Sequence, residues 1–163
     1  MSQKEFAYSI DQFKEIAEKT LKMAKGLGAS AVEVDLNEGL GSEVSVRKGE
    51  VENLEYSRDK GLGITVYVGH RKGFASTSDL GTDAIAHTVE AAVSIAQLTA
   101  EDSYSGLADP DRLAREMPDL DLYHPWNISM EDSIDLALSC EQAAFDVSPE
   151  IKNSEGAGVS VQE

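Results

Sequence analysis

Apolar positions along this chain change period three times, and each change marks a different kind of element. From Ile10 to Lys25 they recur at helical spacing, with Ile10, Phe13, Ala17, Leu21 and Ala24 forming one stripe. Ser9 is placed to cap that helix, Glu15–Lys19 and Glu18–Lys22 are i,i+4 pairs on the other side, and Gly26 and Gly28 end it. From Ala31 the period drops to two. Val32, Val34 and Leu36 alternate with Glu33 and Asp35, and the pattern returns over Glu43–Arg47, Glu52–Ser57, Leu62–Val68 and Gly73–Thr77. Turns are expected at Asn37-Glu38-Gly39, Lys48-Gly49-Glu50, Asp59-Lys60-Gly61 and Gly69-His70. The pattern therefore predicts five or six short antiparallel strands joined mostly by hairpin-length loops.

Helical spacing resumes at Thr82–Leu98, where Ile85, Val89, Val93 and Ala96 share a side and Thr82 is a candidate cap. Residues 99–128 keep no period. Leu107, Leu113, Met117, Leu120, Leu122, Tyr123 and Trp126 are expected to anchor this segment on a surface, with a short helical turn over Pro110–Arg115. A third helix starts at the Ser129 cap, with Asp132 three residues on, and Pro149 closes the region. Residues 151–163 become periodic again. They are expected to begin a strand or hairpin leading to a C-terminal domain missing from this chain, with residues 1–150 forming one α+β domain. The fold class expected is α+β: an antiparallel β-meander with helices packed mainly on one face.

At 163 residues the chain can bury a sizeable core. No apolar run approaches the roughly 20 residues needed to span a bilayer. The first residues lack the basic and apolar regions of a signal peptide. Cys140 is the only cysteine, which leaves no internal disulfide and favours a cytoplasmic setting. The net charge of −16 is uneven: residues 1–80 hold 11 basic against 13 acidic side chains, and residues 81–163 hold 3 against 17. Such a surface repels phosphate backbones, so nucleic acid is not expected as a partner, and without a spanning run neither is a membrane.

Candidate chemistry is sparse. His70, His87 and His124 lack the spacing of a zinc motif. Gly61-x-Gly63 precedes a strand instead of opening a helix, so it reads as turn glycine and not as a phosphate cradle. Ser76-Thr77-Ser78-Asp79 suits local side-chain bonding to the backbone. Asp109, Asp111, Asp119 and Asp121 do not complete a calcium loop, and Cys140 reads as a buried inert thiol. The residues that remain are basic: Arg47, Lys48, Arg58, Arg71 and Lys72, all expected at or near turns together with Lys60. They are candidates for contact with substrate or partner, although charge at turns also guards strand edges.

One stretch carries a family signature. Gly49-Glu50-Val51-Glu52-Asn53, Gly61-Leu62-Gly63-Ile64-Thr65-Val66-Tyr67 and Arg71-Lys72-Gly73-Phe74-Ala75-Ser76-Thr77-Ser78-Asp79-Leu80 succeed one another in the order of the PmbA/TldD family. Asp119-Leu120-Asp121-Leu122-Tyr123-His124-Pro125, Glu141-Gln142-Ala143-Ala144 and Asn153-Ser154-Glu155-Gly156 extend the resemblance, which is to the PmbA (TldE) side of the family. The resemblance implies the N-terminal domain of a non-catalytic subunit in a cytoplasmic metallopeptidase complex that cleaves flexible peptides, a family also described as modulators of DNA gyrase. It implies a heterodimer with a TldD-type subunit whose H-E-x-x-x-H motif holds the metal, expected to be zinc. This sequence contains no H-E-x-x-x-H. No catalytic, cofactor or metal residue is carried over, and the expected role is scaffold and wall of the substrate cavity. A plain protein-interaction module is the alternative. A sheet edge near Val44, Val46 and Arg47 is expected to border that cavity, since added-strand pairing suits flexible peptides.

Overall fold

The computed structural model describes residues 6–163. Most of the segment read as lacking a signal-peptide pattern is described, but its first five residues lie outside. The elements are α1 (Ile10–Gly26), β1 (Ala31–Arg47), β2 (Glu50–Val68), β3 (Arg71–Thr77), α2 (Thr82–Leu98), α3 (Met130–Asp146) and β4 (Ala157–Gln162). The strands form one sheet in the order β3-β2-β1-β4. The β2–β3 and β1–β4 pairs are antiparallel. The α+β reading holds.

The number of strands does not match the expectation. Asn37-Glu38-Gly39 and Asp59-Lys60-Gly61 are not turns but the middles of β1 and β2. The reason is parity. Val32, Val34, Leu36, Leu40, Val44 and Val46 all occupy even positions, and so do Leu54, Tyr56, Leu62, Ile64, Val66 and Val68. A turn resets the two-residue register, whereas an uninterrupted strand keeps it. Glycine is tolerated here because the strands crowd one another: Gly61 lies against the Asn37 side chain and Gly41 against Ser57.

The two true reversals have tight geometry. At the β1–β2 hairpin both Lys48 (φ 53°) and Gly49 (φ 77°) are left-handed, the signature of a two-residue type I′ turn. At the β2–β3 hairpin Gly69 alone has positive φ (62°), as a type II′ turn requires, and Val68 pairs with Arg71 across it.

The chain divides into two compact units, Met1–Glu38 with Asp59–Pro118 and Gly39–Arg58 with Asp119–Glu163. In the first, α1 and α2 cover the face carrying the even-numbered residues of β1 and β2 together with their odd-numbered partners Gly73 and Ala75 on β3. Leu62, Ile64 and Val66 are essentially inaccessible and pack with Ala24, Val89, Ala92, Val93 and Ala96. Ser9 caps α1 in a reciprocal box with Gln12, and Gly28 (φ 95°) comes directly after its C-cap Leu27. α2 has the expected bounds, but its N-cap is Gly81 and not Thr82. The Asp79 carboxylate accepts from the Gly81 N–H instead (2.8 Å).

In the second unit, Val44 and Val46 pack with Ala137 of α3, and Met130, Ile134, Leu138, Ala157 and Val159 close the cluster. Ser129 caps α3 through the Asp132 N–H at 3.0 Å and donates its hydroxyl to the Asp132 carboxylate at 2.7 Å. Residues 151–163 supply β4, which pairs back onto β1 from Gly41↔Gln162 to Val46↔Ala157.

Residues 99–129 form no helix or strand. The expected helical turn at Pro110–Arg115 is one reversal closed by Arg112 N–H to the Asp109 carbonyl. The expected apolar anchors do not anchor: Leu107, Leu113, Met117, Leu120, Leu122, Tyr123 and Trp126 are all exposed. With no period, the segment has no side from which its apolar groups can be buried together.

Gly73 gives the clearest test of the packing. A Cβ there would strike the Ala92 carbonyl and the Ala96 amide of α2, two backbone groups fixed in a helix. Gly73→Ala should cost about 1–3 kcal/mol in urea unfolding, the range for overpacking a tight core. Gly63→Ala would meet only the exposed Phe74 ring at 3.3 Å, which can swing aside, and should cost clearly less.

Candidate functional site

The most organised polar site lies at the β1–β2 turn, and its key residue was not a candidate on sequence grounds. A type I′ turn leaves backbone N–H groups pointing outward, and those of Lys48 and Gly49 both need acceptors. Glu141 of α3 supplies them. Its Oε1 accepts from the Lys48 N–H and its Oε2 from the Gly49 N–H, each at 2.8 Å. The residue is 3% exposed, so a charged side chain is buried with its oxygens occupied.

Its pKa is lowered from the ordinary glutamate value. The Gly49 N–H is the largest cause; burial opposes it, and Ser154, the Lys48 N–H and the Arg47 charge reinforce it. The surroundings are tied to the same point. Arg47 donates from Nε to the Ser154 carbonyl at 3.1 Å and pairs with Glu52 at 3.9 Å, while the Gly156 N–H donates to Ser154 Oγ at 2.8 Å.

Beside the turn opens a groove of about 660 Å³ bordered by Lys48, Leu138, Gln142, Phe145 and Lys152. Lys48 and Lys152 bring two ammonium groups to it. In the other unit a second groove of about 550 Å³ lies over Gly61 and Gly63, edged by Asp35, Asn37, Phe74 and Ser76. The two glycines leave its floor without side chains, and Phe74 is exposed at its rim.

The expected contact residues have diverse surroundings. Arg47 and Lys48 flank the clamped turn. Arg58 is not at a turn but within β2, as Lys60 is, because β2 is continuous; Lys60 lies over the Tyr8 ring at 5.4 Å from its centroid. Arg71 reaches the Gln97 carbonyl at 3.4 Å and Lys72 is exposed on β3. Arg47, Lys48 and Arg58 belong to one unit, Arg71 and Lys72 to the other. The expected edge at Val44, Val46 and Arg47 is not an edge, because β4 pairs with β1 there. The outer strands are β3 and β4.

Cys140 is exposed and not buried as expected, while the neighbouring Glu141 is the buried residue. The one signal available in the sequence was helical phase. Ser133, Ala137 and Glu141 succeed one another at i,i+4 and form the buried stripe of α3, and Cys140 falls outside it.

His70 lies at the β2–β3 turn, where its carbonyl accepts from the Asp102 N–H and its ring Nδ1 is 3.2 Å from the Ser105 carbonyl. Thr77 Oγ1 accepts from the Asp79 N–H at 3.0 Å, the local bonding expected of that segment. Among the described residues no three His, Cys, Asp or Glu side chains are grouped to hold a metal ion. A metallopeptidase metal has no donor set among these described residues that it would fit. What the site offers is binding surface: grooves, solvated cations and open strand edges.

Residues 32–96 match the family of PmbA/TldA metallopeptidase domain 1. Over those residues the chain resembles the first domain of the PmbA/TldD family. It is 46% identical over 142 residues to Metalloprotease PmbA of Escherichia coli O157:H7, covering 87% of this chain and 31% of that protein. It is 47% identical over 137 residues to a Metalloprotease PmbA homolog of Haemophilus influenzae, covering 84% and 30%. The chain thus spans about a third of the length of these relatives.

Two crystal structures share the fold. A modulator of DNA gyrase from Bacteroides thetaiotaomicron superposes with a TM-score of 0.73 at 23% identity, over 94% of this chain and 34% of that one. TldE from Thermococcus kodakarensis superposes with a TM-score of 0.63 at 16% identity, over 90% and 33%. No helix among the described residues is long and apolar enough to cross a membrane.

The clamp makes a signed pH prediction. Because folding lowers the Glu141 pKa, its contribution to stability is complete above the ordinary glutamate value of about 4.3 and is lost as pH falls through the lower folded value. Glu141→Gln keeps the shape but turns an NH₂ toward one of the two N–H donors. Urea unfolding should show the variant less stable at neutral pH, with the gap to the parent protein closing below about pH 4.3. A gap unchanged into acid would exclude the charged clamp.

Proposed function

We propose that this chain is the N-terminal domain of a PmbA/TldE-type, non-catalytic subunit of a cytoplasmic metallopeptidase complex. In this reading it serves as scaffold and as part of the wall of the substrate cavity. The observation that carries it is the 46–47% identity to relatives named Metalloprotease PmbA over most of this chain. The partner in this reading is a TldD-type subunit, which would hold the metal, zinc by expectation, and so supply the Lewis acid for peptide-bond hydrolysis.

The contribution of this chain is to hold flexible peptide near that centre. An open strand edge can pair with the backbone of any extended peptide, giving affinity with little dependence on side chains. With β4 covering β1, one edge suited to this role within Gly39–Ser78 is β3, whose Arg71 and Lys72 would attract acidic segments. A second reading, a protein-interaction module without a part in proteolysis, draws on the similar fold described as a modulator of DNA gyrase.

Mixing the full-length protein with a metal-loaded TldD-type subunit and following hydrolysis of unfolded peptides separates the two readings. Cleavage by the mixture beyond that of either component is expected, and a complex that forms but gains no activity favours the interaction module. Lys72→Glu on the β3 edge should raise KM for acidic peptides several-fold with little change in kcat. It is a better probe than Arg47→Glu, because Arg47 is bonded to Ser154 and Glu52 and its loss would disturb the clamped turn.

A further inference from the structure

The outer side of β2 is only partly covered. β3 is in register with Leu62–Val68 alone, so from Glu50 to Gly61 no strand among the described residues lies beside β2 on that side. Natural edge strands are usually short or broken by proline or a bulge. This stretch is long, contains no proline, and exposes Leu54 (50%) and Tyr56 (68%).

We propose that this edge pairs antiparallel with the same strand of a second copy of the chain, about a two-fold axis at Glu55. The case rests on self-complementarity. An axis at Glu55 sets Leu54 opposite Tyr56, Asn53 opposite Ser57 and Glu52 opposite Arg58, and the symmetry makes each pair twice. In these three pairs apolar meets apolar, amide meets hydroxyl and acid meets base, the pairings that stabilise antiparallel strands, with Glu52 sharing its carboxylate between Arg47 of its own chain and Arg58 of the second copy. An axis moved to Leu54 instead opposes Glu52 to Tyr56 and Glu55 to Asn53. Two pairs are unfavourable: Glu55 with its own copy at the axis, and Val51 opposite Asp59 nearer the ends of the stretch. This inference stands independently of the function proposed above.

Cross-linking and sedimentation test it on the purified protein. In a Cys140→Ser background, Glu55→Cys should form a disulfide-linked dimer under mild oxidation. Asn53→Cys should not, because its two copies would be about 13 Å apart along the strands, beyond the roughly 7 Å that a disulfide can bridge. Glu55→Gln removes the repulsion and should tighten the dimer about 2- to 5-fold by sedimentation equilibrium. Arg58→Glu should loosen it, with circular dichroism confirming an intact fold. The Glu55→Gln gain cannot come from misfolding. A protein that stays monomeric at every concentration reached, or that cross-links as readily at Asn53 as at Glu55, overturns the proposal.

Discussion

Everything in this molecule hangs on one reversal of direction, the two left-handed residues Lys48 and Gly49. A type I′ turn commits two long strands to antiparallel pairing, and those strands supply backbone to both compact units. The turn is a conformational liability at Lys48, where a side chain occupies a region that favours glycine. It also projects two amide donors. Glu141 answers the second problem with one carboxylate on both N–H groups, and α3, the helix that carries it, also covers Val44 and Val46. Turn geometry, buried charge and apolar packing in that unit are therefore one structure.

The other unit is built on close approach. Gly73 removes the side chain that would separate β3 from α2, and Ala92 and Ala96 do the same from the helix side. Backbone then meets backbone, and Leu62, Ile64 and Val66 are sealed beneath with Val89 and Val93. Truncating such a side chain, as in Ile64→Ala, falls in the class of changes that cost about 2–5 kcal/mol.

Periodicity made the helices legible almost to the residue, because caps such as Ser9 and Ser129 are local chemistry. The true hairpins were legible for the same reason. The two false turns came from giving glycine, asparagine and charge more weight than parity, although the even-numbered apolar positions run unbroken through them. Pairing between distant segments left no local trace: nothing at Gly41–Val46 announces that Ala157–Gln162 will lie beside it. The clamp was hidden likewise, since Glu141 reads as one acid among many until its helical phase is set beside Ala137. The basic residues were easy to find by type, but their partners, such as Ser154 for Arg47 and Tyr8 for Lys60, were not.

The discontinuity of the units has a consequence for how the protein is made. Arg47 finds Ser154 across 107 residues, and β1 finds β4 over a similar span. During synthesis the β1–β2 hairpin emerges well before α3 and β4 exist. Val44 and Val46 must then wait, uncovered, while the helix that will bury them is still being translated. Contacts of such long range are slow to form, and the waiting strand is the part most vulnerable to misassociation.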